Sequence, residues 1–272
     1  MKKYVFSEEQ LLDIYNMYND GSSLKVIQDK YSVSQTVLTR VFNENGWTIR
    51  GCHDHRNYTL NEEYFDSIDT PNKAYIYGLL AADGYNYVPT GEIKLSLQEG
   101  DEQTLVDINK EIESNRPLHV RKFDRPSWKD SYTLSISSVH ISRQLEKIGI
   151  IRNKSLVLEF PEWISESLFP YMLKGYIDGN GWIQQYRIGF MSSDKFAYGV
   201  QRFLIEHYGI TSTVMDMKRH YDSRTKTWYI CSKKKSKTLV EMMFEEPTIR
   251  IQRKYEKYIK YGYLDADKSL VV

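Results

Sequence analysis

The residues best placed to do chemistry end two similar segments. Lys73-Ala-Tyr-Ile-Tyr-Gly-Leu-Leu-Ala-Ala-Asp83-Gly84 aligns with Pro170-Tyr-Met-Leu-Lys-Gly-Tyr-Ile-Asp-Gly-Asn180-Gly181 at an offset of 97 residues. Gly78 falls on Gly175, Asp83 on Asn180 and Gly84 on Gly181. Both segments read as helices, with Gly84 as a terminating glycine. Gly78 and Ala82 lie at i and i+4, as do Gly175 and Gly179, so two helix backbones can approach closely there. A carboxylate at Asp83 faces the negative end of its helix dipole, at a cost of roughly 0.3–1 kcal/mol. A divalent cation bound at the seam would offset that cost, and hard cations choose carboxylate oxygens.

The repeat extends to the elements that must hold these ends in place. After each motif comes an alternating segment, Glu92-Ile-Lys-Leu-Ser-Leu97 and then Tyr186-Arg-Ile-Gly-Phe190, whose period of two predicts strands. Helical patterns opening with an acid follow from Asp101 and Asp194, as suits a helix N-terminus. Further strands are read at 118–123 and 132–137, and at 213–220 and 228–232; helices at 141–148 and 238–244 close the halves. The expectation is an α+β fold with two pseudo-symmetric αββαββα halves, about 71–152 and 153–263, within a domain spanning 71–272.

The net charge of +1 conceals an uneven distribution. Residues 57–115 carry −9 and residues 116–154 carry +6, while residues 155–210 carry −2 and residues 211–263 carry +7. Local fluctuation on a solvated surface would give such numbers, and so would a protein with one face turned to a polyanion. The basic blocks coincide with the second strand pair of each half. Two basic, aromatic-rich sheets related by a pseudo-dyad would make a saddle for double-stranded DNA, with Arg121, Lys122, Lys218, Arg219, Lys233 and Lys234 as candidate contacts.

Composition excludes other classes. With 41% apolar and 27% charged residues the chain is neither disordered nor collagen-like. The apolar stretch from Ala74 to Ala82 is half of what a bilayer-spanning helix needs, and the N-terminus turns acidic before a signal-peptide core develops. The two cysteines, Cys52 and Cys231, form neither a disulfide framework nor a four-cysteine zinc site. A soluble, cytoplasmic protein is expected.

Residues 1–50 read as a separate all-α domain. Leu11, Leu12, Ile14, Tyr15 and Tyr18 recur at helical spacing, and Ser22-Ser23 can cap a second helix with Leu24, Val26 and Ile27 on its buried side. Ser34 would cap a third, from Gln35 to about Asn43. Two short helices with a tight turn make a helix-turn-helix. The segment from Gly21 through Val33-Ser34 to Arg50 resembles the resolvase and invertase type of DNA-binding domain, which places Gln35, Thr36, Thr39 and Arg40 toward base edges and phosphates. Residues 51–70 read as a linker; Cys52, His53, Asp54 and His55 are too close together on an extended stretch to surround one ion.

Tyr77-Gly-Leu-Leu-Ala-Ala-Asp-Gly84 and Lys174-Gly-Tyr-Ile-Asp-Gly-Asn-Gly181 resemble the two signature motifs of single-chain LAGLIDADG homing endonucleases. Gly149 to Pro161 resembles that family's connecting segment and Arg253-Lys254-Tyr255 its C-terminal basic element. The resemblance implies a monomeric endonuclease that cleaves double-stranded DNA at a long asymmetric site, within intron or intein mobility. It assigns two or more Mg2+ ions to Asp83 and Asn180, and basic catalytic roles to Lys154 and Lys254.

Asn180 departs from the pattern, since an amide supplies no negative charge, and the chain is expected to nick poorly or not at all. An engineered Asp→Asn change, natural decay with binding retained, and a purely local helix-end role all remain open. The alternatives to the endonuclease are a non-cleaving DNA-binding regulator on the same scaffold and an RNA-splicing maturase, the one case in which RNA would be the partner.

Overall fold

The computed structural model describes residues 5–20, 22–47, 57–125, 128–216 and 224–265. The chain divides into two compact units, Met1–Asn57 and Tyr58–Val272.

The first unit contains α1 (Glu8–Asn19), α2 (Leu24–Tyr31) and α3 (Gln35–Glu44). Ser7 and Gln10 form a reciprocal capping box at α1, and Ser23 accepts from the Val26 amide at α2. Ser34 takes the N-cap position of α3 but makes no side-chain cap bond, contrary to its expected role. Ile14, Tyr18, Ile27, Leu38, Val41 and Phe42 make the core. Leu12 and Val26, expected inside, are 60% and 51% exposed. Each sits one or two residues from the buried stripe, and at 100° per residue that rotates it outward.

The second unit runs α4 (Pro71–Asp83), β1 (Tyr85–Tyr87), β2 (Glu92–Gln98), α5 (Glu102–Glu111), β3 (His119–Arg121), β4 (Ser131–Ser137) and α6 (Val139–Lys147). The same order returns as α7 (Phe169–Asn180), β5 (Gly181–Gln184), β6 (Arg187–Ser193), α8 (Asp194–Tyr208), β7 (Thr213–Asp216), β8 (Thr225–Ile230) and α9 (Lys233–Met243), and α10 (Gln252–Lys260) follows. Each half holds one antiparallel sheet, ordered β1-β2-β4-β3 and β5-β6-β8-β7. The αββαββα order expected of both halves is present, with β1 and β5 supplying strands that the sequence pattern had not located.

Several boundaries differ from expectation. Residues 58–70, read as linker, belong to the second unit: Tyr64 and Phe65 are buried, and the Asn61 amide donates to the Ile112 carbonyl. Their two aromatic rings outweigh the polar residues around them. Residues 51–56 lie outside the described residues. Helix α9 begins at Lys233, not at 238, because Ser232 caps it by accepting from the Lys235 amide. Lys233 and Lys234 thus stand on a helix's first turn and not in the strand pair. Helix α10 was not anticipated. No helix among the described residues is long and apolar enough to cross a membrane.

One contact organises this unit. Helices α4 and α7 meet backbone to backbone: a Cβ on Gly78 would lie 1.9 Å from the Met172 carbonyl oxygen, and one on Gly175 would lie 2.0 Å from that of Tyr75. Around this seam, Ile93, Leu95 and Leu97 of β2 and Leu134 and Ile136 of β4 form the inner face of one sheet. Ile188, Phe190, Trp228 and Ile230 do the same in the other. Neither glycine has room for a methyl group, since the obstacle is backbone. Gly175→Ala is expected to cost about 3 kcal/mol or more; urea unfolding checks this, and unchanged stability would contradict the contact.

Candidate active site

The last turns of α4 and α7 bring Asp83 and Asn180 together. Gly179 makes room for the acid: a Cβ there would lie 3.2 Å from Asp83 Oδ2. Asn180 Nδ2 donates across the seam to the Ala82 carbonyl at 3.4 Å. Both side chains reach solvent at the open end of the seam. Protein packed around the base of the Asp83 carboxyl strips some of its hydration and raises its pKa. The charges of Lys254 and Lys154 oppose that rise without cancelling it.

The two lysines are buried, each only 5% exposed. Lys154 follows Asn153, whose φ of 57° turns the connecting chain inward, and its ammonium donates to the Gly84 carbonyl beyond the end of α4. Lys254, on the buried side of α10, donates to the carbonyls of Ile177 at 2.7 Å, Asp178 at 2.6 Å and Gly181 at 3.0 Å, with that of Gly179 at 3.4 Å. These are the carbonyls a helix C-terminus leaves without partners. Each helix end is thus met by one buried ammonium group of the chain itself, beside the place expected to hold a divalent cation. Burial pushes both ammonium groups down to about 8.

The second half carries a buried polar cluster with no counterpart in the first. Asp178 Oδ2 accepts from the Tyr75 hydroxyl at 2.8 Å and from the Ile251 amide at 3.1 Å. Lys174, one turn earlier on α7 and fully buried, donates to Thr248 Oγ1 and lies 4.3 Å from the Phe244 ring centroid. Burial lowers its pKa to about 7. The first half has Ala81 and Tyr77 at the equivalent places. Asp178 is held inside this cluster, so it does not stand in for the missing acid at 180. A lysine and an aspartate four residues apart on an otherwise apolar helix were the available signal for this cluster.

The expected polyanion contacts occupy several places. Gln35, Thr36, Thr39 and Arg40 lie along one open side of α3, with Arg40 3.7 Å from Glu44. Arg121 ends β3 with its guanidinium 4.7 Å from the Phe123 ring centroid, and Lys122 is exposed just beyond the strand. Lys233 and Lys234 are exposed at the start of α9. Lys218 and Arg219 lie outside the described residues.

Among the described residues no group of three His, Cys, Asp or Glu side chains could enclose a metal ion. Magnesium does not require such a cage, being commonly held by one or two carboxylates with water and substrate phosphates. Asp83 offers one charged ligand of that kind; Asn180 offers only a neutral amide oxygen. The residues at the seam therefore fit one magnesium ion shared with a phosphate better than a matched pair.

Residues 171–243, spanning α7 to α9, match a sequence family described as LAGLIDADG-like domain. No curated protein matches the chain. Among solved structures, full-length DUF199/WhiA from Thermatoga maritima is similar with a TM-score of 0.48 and 16% identity, over 78% of this chain and 66% of that one. The I-LtrWI LAGLIDADG homing endonuclease bound to target DNA gives 0.45 and 15%, over 75% and 90%. I-SmaMI bound to an uncleaved DNA target with calcium ions gives 0.44 and 11%, over 71% and 90%.

The raised pKa of Asp83 has a consequence for stability. The folded chain holds this proton more tightly than the unfolded chain does, so the group adds stability below the ordinary carboxylate pKa and loses it as pH rises through the raised value. Asp83→Asn carries no charge at any pH. It is expected to melt above the parent at pH 7, with the gap closing toward about pH 4. Thermal unfolding at both pH values checks this, and a lower Tm for the variant at pH 7 contradicts it.

Proposed function

We propose that this chain is a site-specific DNA-binding protein of the homing-endonuclease type, with metal-dependent phosphodiester hydrolysis confined to one strand. The observation that carries this reading is the seam itself. Two repeated helices present their last residues side by side over a pseudo-dyad, one ending in an acid and the other in an amide. A duplex laid across two sheets related in this way would bring one phosphate of each strand to the seam. The match of residues 171–243 to a LAGLIDADG-like domain supports the same class.

Asp83 would hold a magnesium ion, which would supply Lewis acidity and water activation there. The chain's own residues position and charge that place. Asp83 must be deprotonated to act as a ligand. Lys154 and Lys254 fix the helix ends and add positive potential beside it. Asn180 leaves the opposite strand without a charged ligand. Arg121, Lys122, Lys233 and Lys234 would neutralise phosphates along the sheets, and the three-helix unit would add contacts through Gln35, Thr36, Thr39 and Arg40. The reading takes the protein as a monomer, because one chain holds both halves.

A non-cleaving regulator is the second reading. The Asn180 amide bond to the Ala82 carbonyl favours it, since that amide closes the seam as a purely structural cap would. Two measurements decide. Binding to duplex DNA should weaken linearly on a logarithmic salt scale as phosphate contacts release counterions; a flat response would remove duplex DNA as the partner. Asn180→Asp restores a charged ligand at nearly constant size, so plasmid linearisation should rise by about 10²-fold or more while affinity in calcium is kept. If linearisation stays undetectable on a verified binding site, the regulator reading replaces the endonuclease.

A further inference from the structure

The open faces of the two sheets differ in chemistry although their topology is the same. In the first sheet the cross-strand pairs place Lys94 beside Ser135 and Ser96 beside Thr133, with Gln98 and Arg121 flanking Ser131. Every one of these side chains can hydrogen-bond, as can His119, which pairs with Thr133 as Met215 pairs with Thr227. The matching face of the second sheet carries Met191 and Met215 on either side of Thr227. Met191 is 40% and Met215 38% exposed. The next row holds Trp182 and Tyr229 about Gly189, where a Cβ would lie 2.6 Å from Trp182 Cζ2, so the indole lies flat across the strand.

The Met191–Thr227–Met215 row crosses three strands, so it is about 10 Å wide at the usual strand spacing. That matches a major groove about 12 Å wide. Cations stand at one end of this face: Arg187, two rows along β6 from Met191 and 5.4 Å from the Tyr229 ring centroid, and Lys233 and Lys234 just after β8. An apolar centre with cations at one end complements a groove floor beside phosphates. Among the described residues the Met191–Thr227–Met215 row has no guanidinium, ammonium or carboxamide to pair with guanine or adenine edges; its one hydroxyl is that of Thr227, and Gln184 lies away from it beside Arg187. What it can do is cover methyl groups. In the major groove the one methyl group belongs to thymine, and methionine thioethers adapt well to such contacts.

We propose that the second sheet reads thymine 5-methyl groups through Met191 and Met215, while the first sheet reads its half-site by hydrogen bonds. The inference rests on the duplex-binding reading given above and assigns each half a different recognition chemistry. Its test separates the two. Selection of binding sites from random duplexes with the full chain comes first; failure to enrich any duplex would sink the DNA-binding reading itself. With an enriched site in hand, thymine is replaced by uracil in one half at a time. Uracil keeps every base-pairing group and loses only the methyl. Affinity should fall about fourfold per methyl removed in one half and stay unchanged in the other. The double variant Met191→Ala, Met215→Ala should bind thymine and uracil versions of the sensitive half equally. Equal sensitivity of both halves, sensitivity of neither, an enriched site without thymine, or uracil discrimination that survives in the double variant would each overturn the proposal.

Discussion

The second unit depends on two glycines that let helix backbones touch. With Gly78 against the Met172 carbonyl and Gly175 against that of Tyr75, α4 and α7 approach more closely than any side chain would permit. That approach sets the separation of the halves and aligns the two helix ends at one solvent-facing point. It also concentrates a problem there, because both helices direct unpaired carbonyls and negative dipole ends to the same place. Lys154 and Lys254 answer it from segments distant in the chain. Their burial holds both ammonium groups well below the usual lysine range, and the same ammonium groups act on Asp83. Scaffold and candidate chemistry therefore share the same atoms.

The pseudo-symmetry is broken at three levels, all in the second half. Asn180 replaces an acid at the seam. Beneath it, Lys174 and Asp178 form a buried cluster with Tyr75, Thr248 and the Ile251 amide, where the first half has only Tyr77 and Ala81. On the outer face, Met191 and Met215 stand where the other sheet carries the Ser96 hydroxyl and the His119 imidazole. The Asp178 bond to the Ile251 amide fixes the chain just before α10, which in turn delivers Lys254. The first half reaches the same end with one lysine on a single turn of 3-10 helix. Similar geometry is thus held by different means.

Much of this was legible in the sequence because it repeats. Small residues four apart, a glycine after each motif and period-two strands located α4, α7 and both longer strands of the first sheet. What escaped has identifiable causes. Strands β1 and β5 are only three and four residues long, β1 directly after Gly84 and β5 starting at Gly181 itself, too short for a period to register. The lysine run at 233–237 concealed the start of α9, since a dense charge block reads as surface whatever its backbone does. Helix α10 was hidden in the same way, its buried Tyr255 and Tyr258 lying among five charged residues. The second-half polar cluster joins Tyr75 to Asp178, 103 residues apart, through contacts no local pattern can encode.

The central claim is that a twofold scaffold carries a onefold chemistry, with Asp83 charged and Asn180 not. The most direct test uses a duplex binding site with a different fluorophore on each strand, incubated with the unaltered chain and magnesium and resolved on a denaturing gel. Slow cleavage of one strand only is expected, at a single position, with the complementary strand intact throughout. Equal cleavage of both strands at matching rates would contradict it, because the amide at 180 would then be serving as well as the acid at 83.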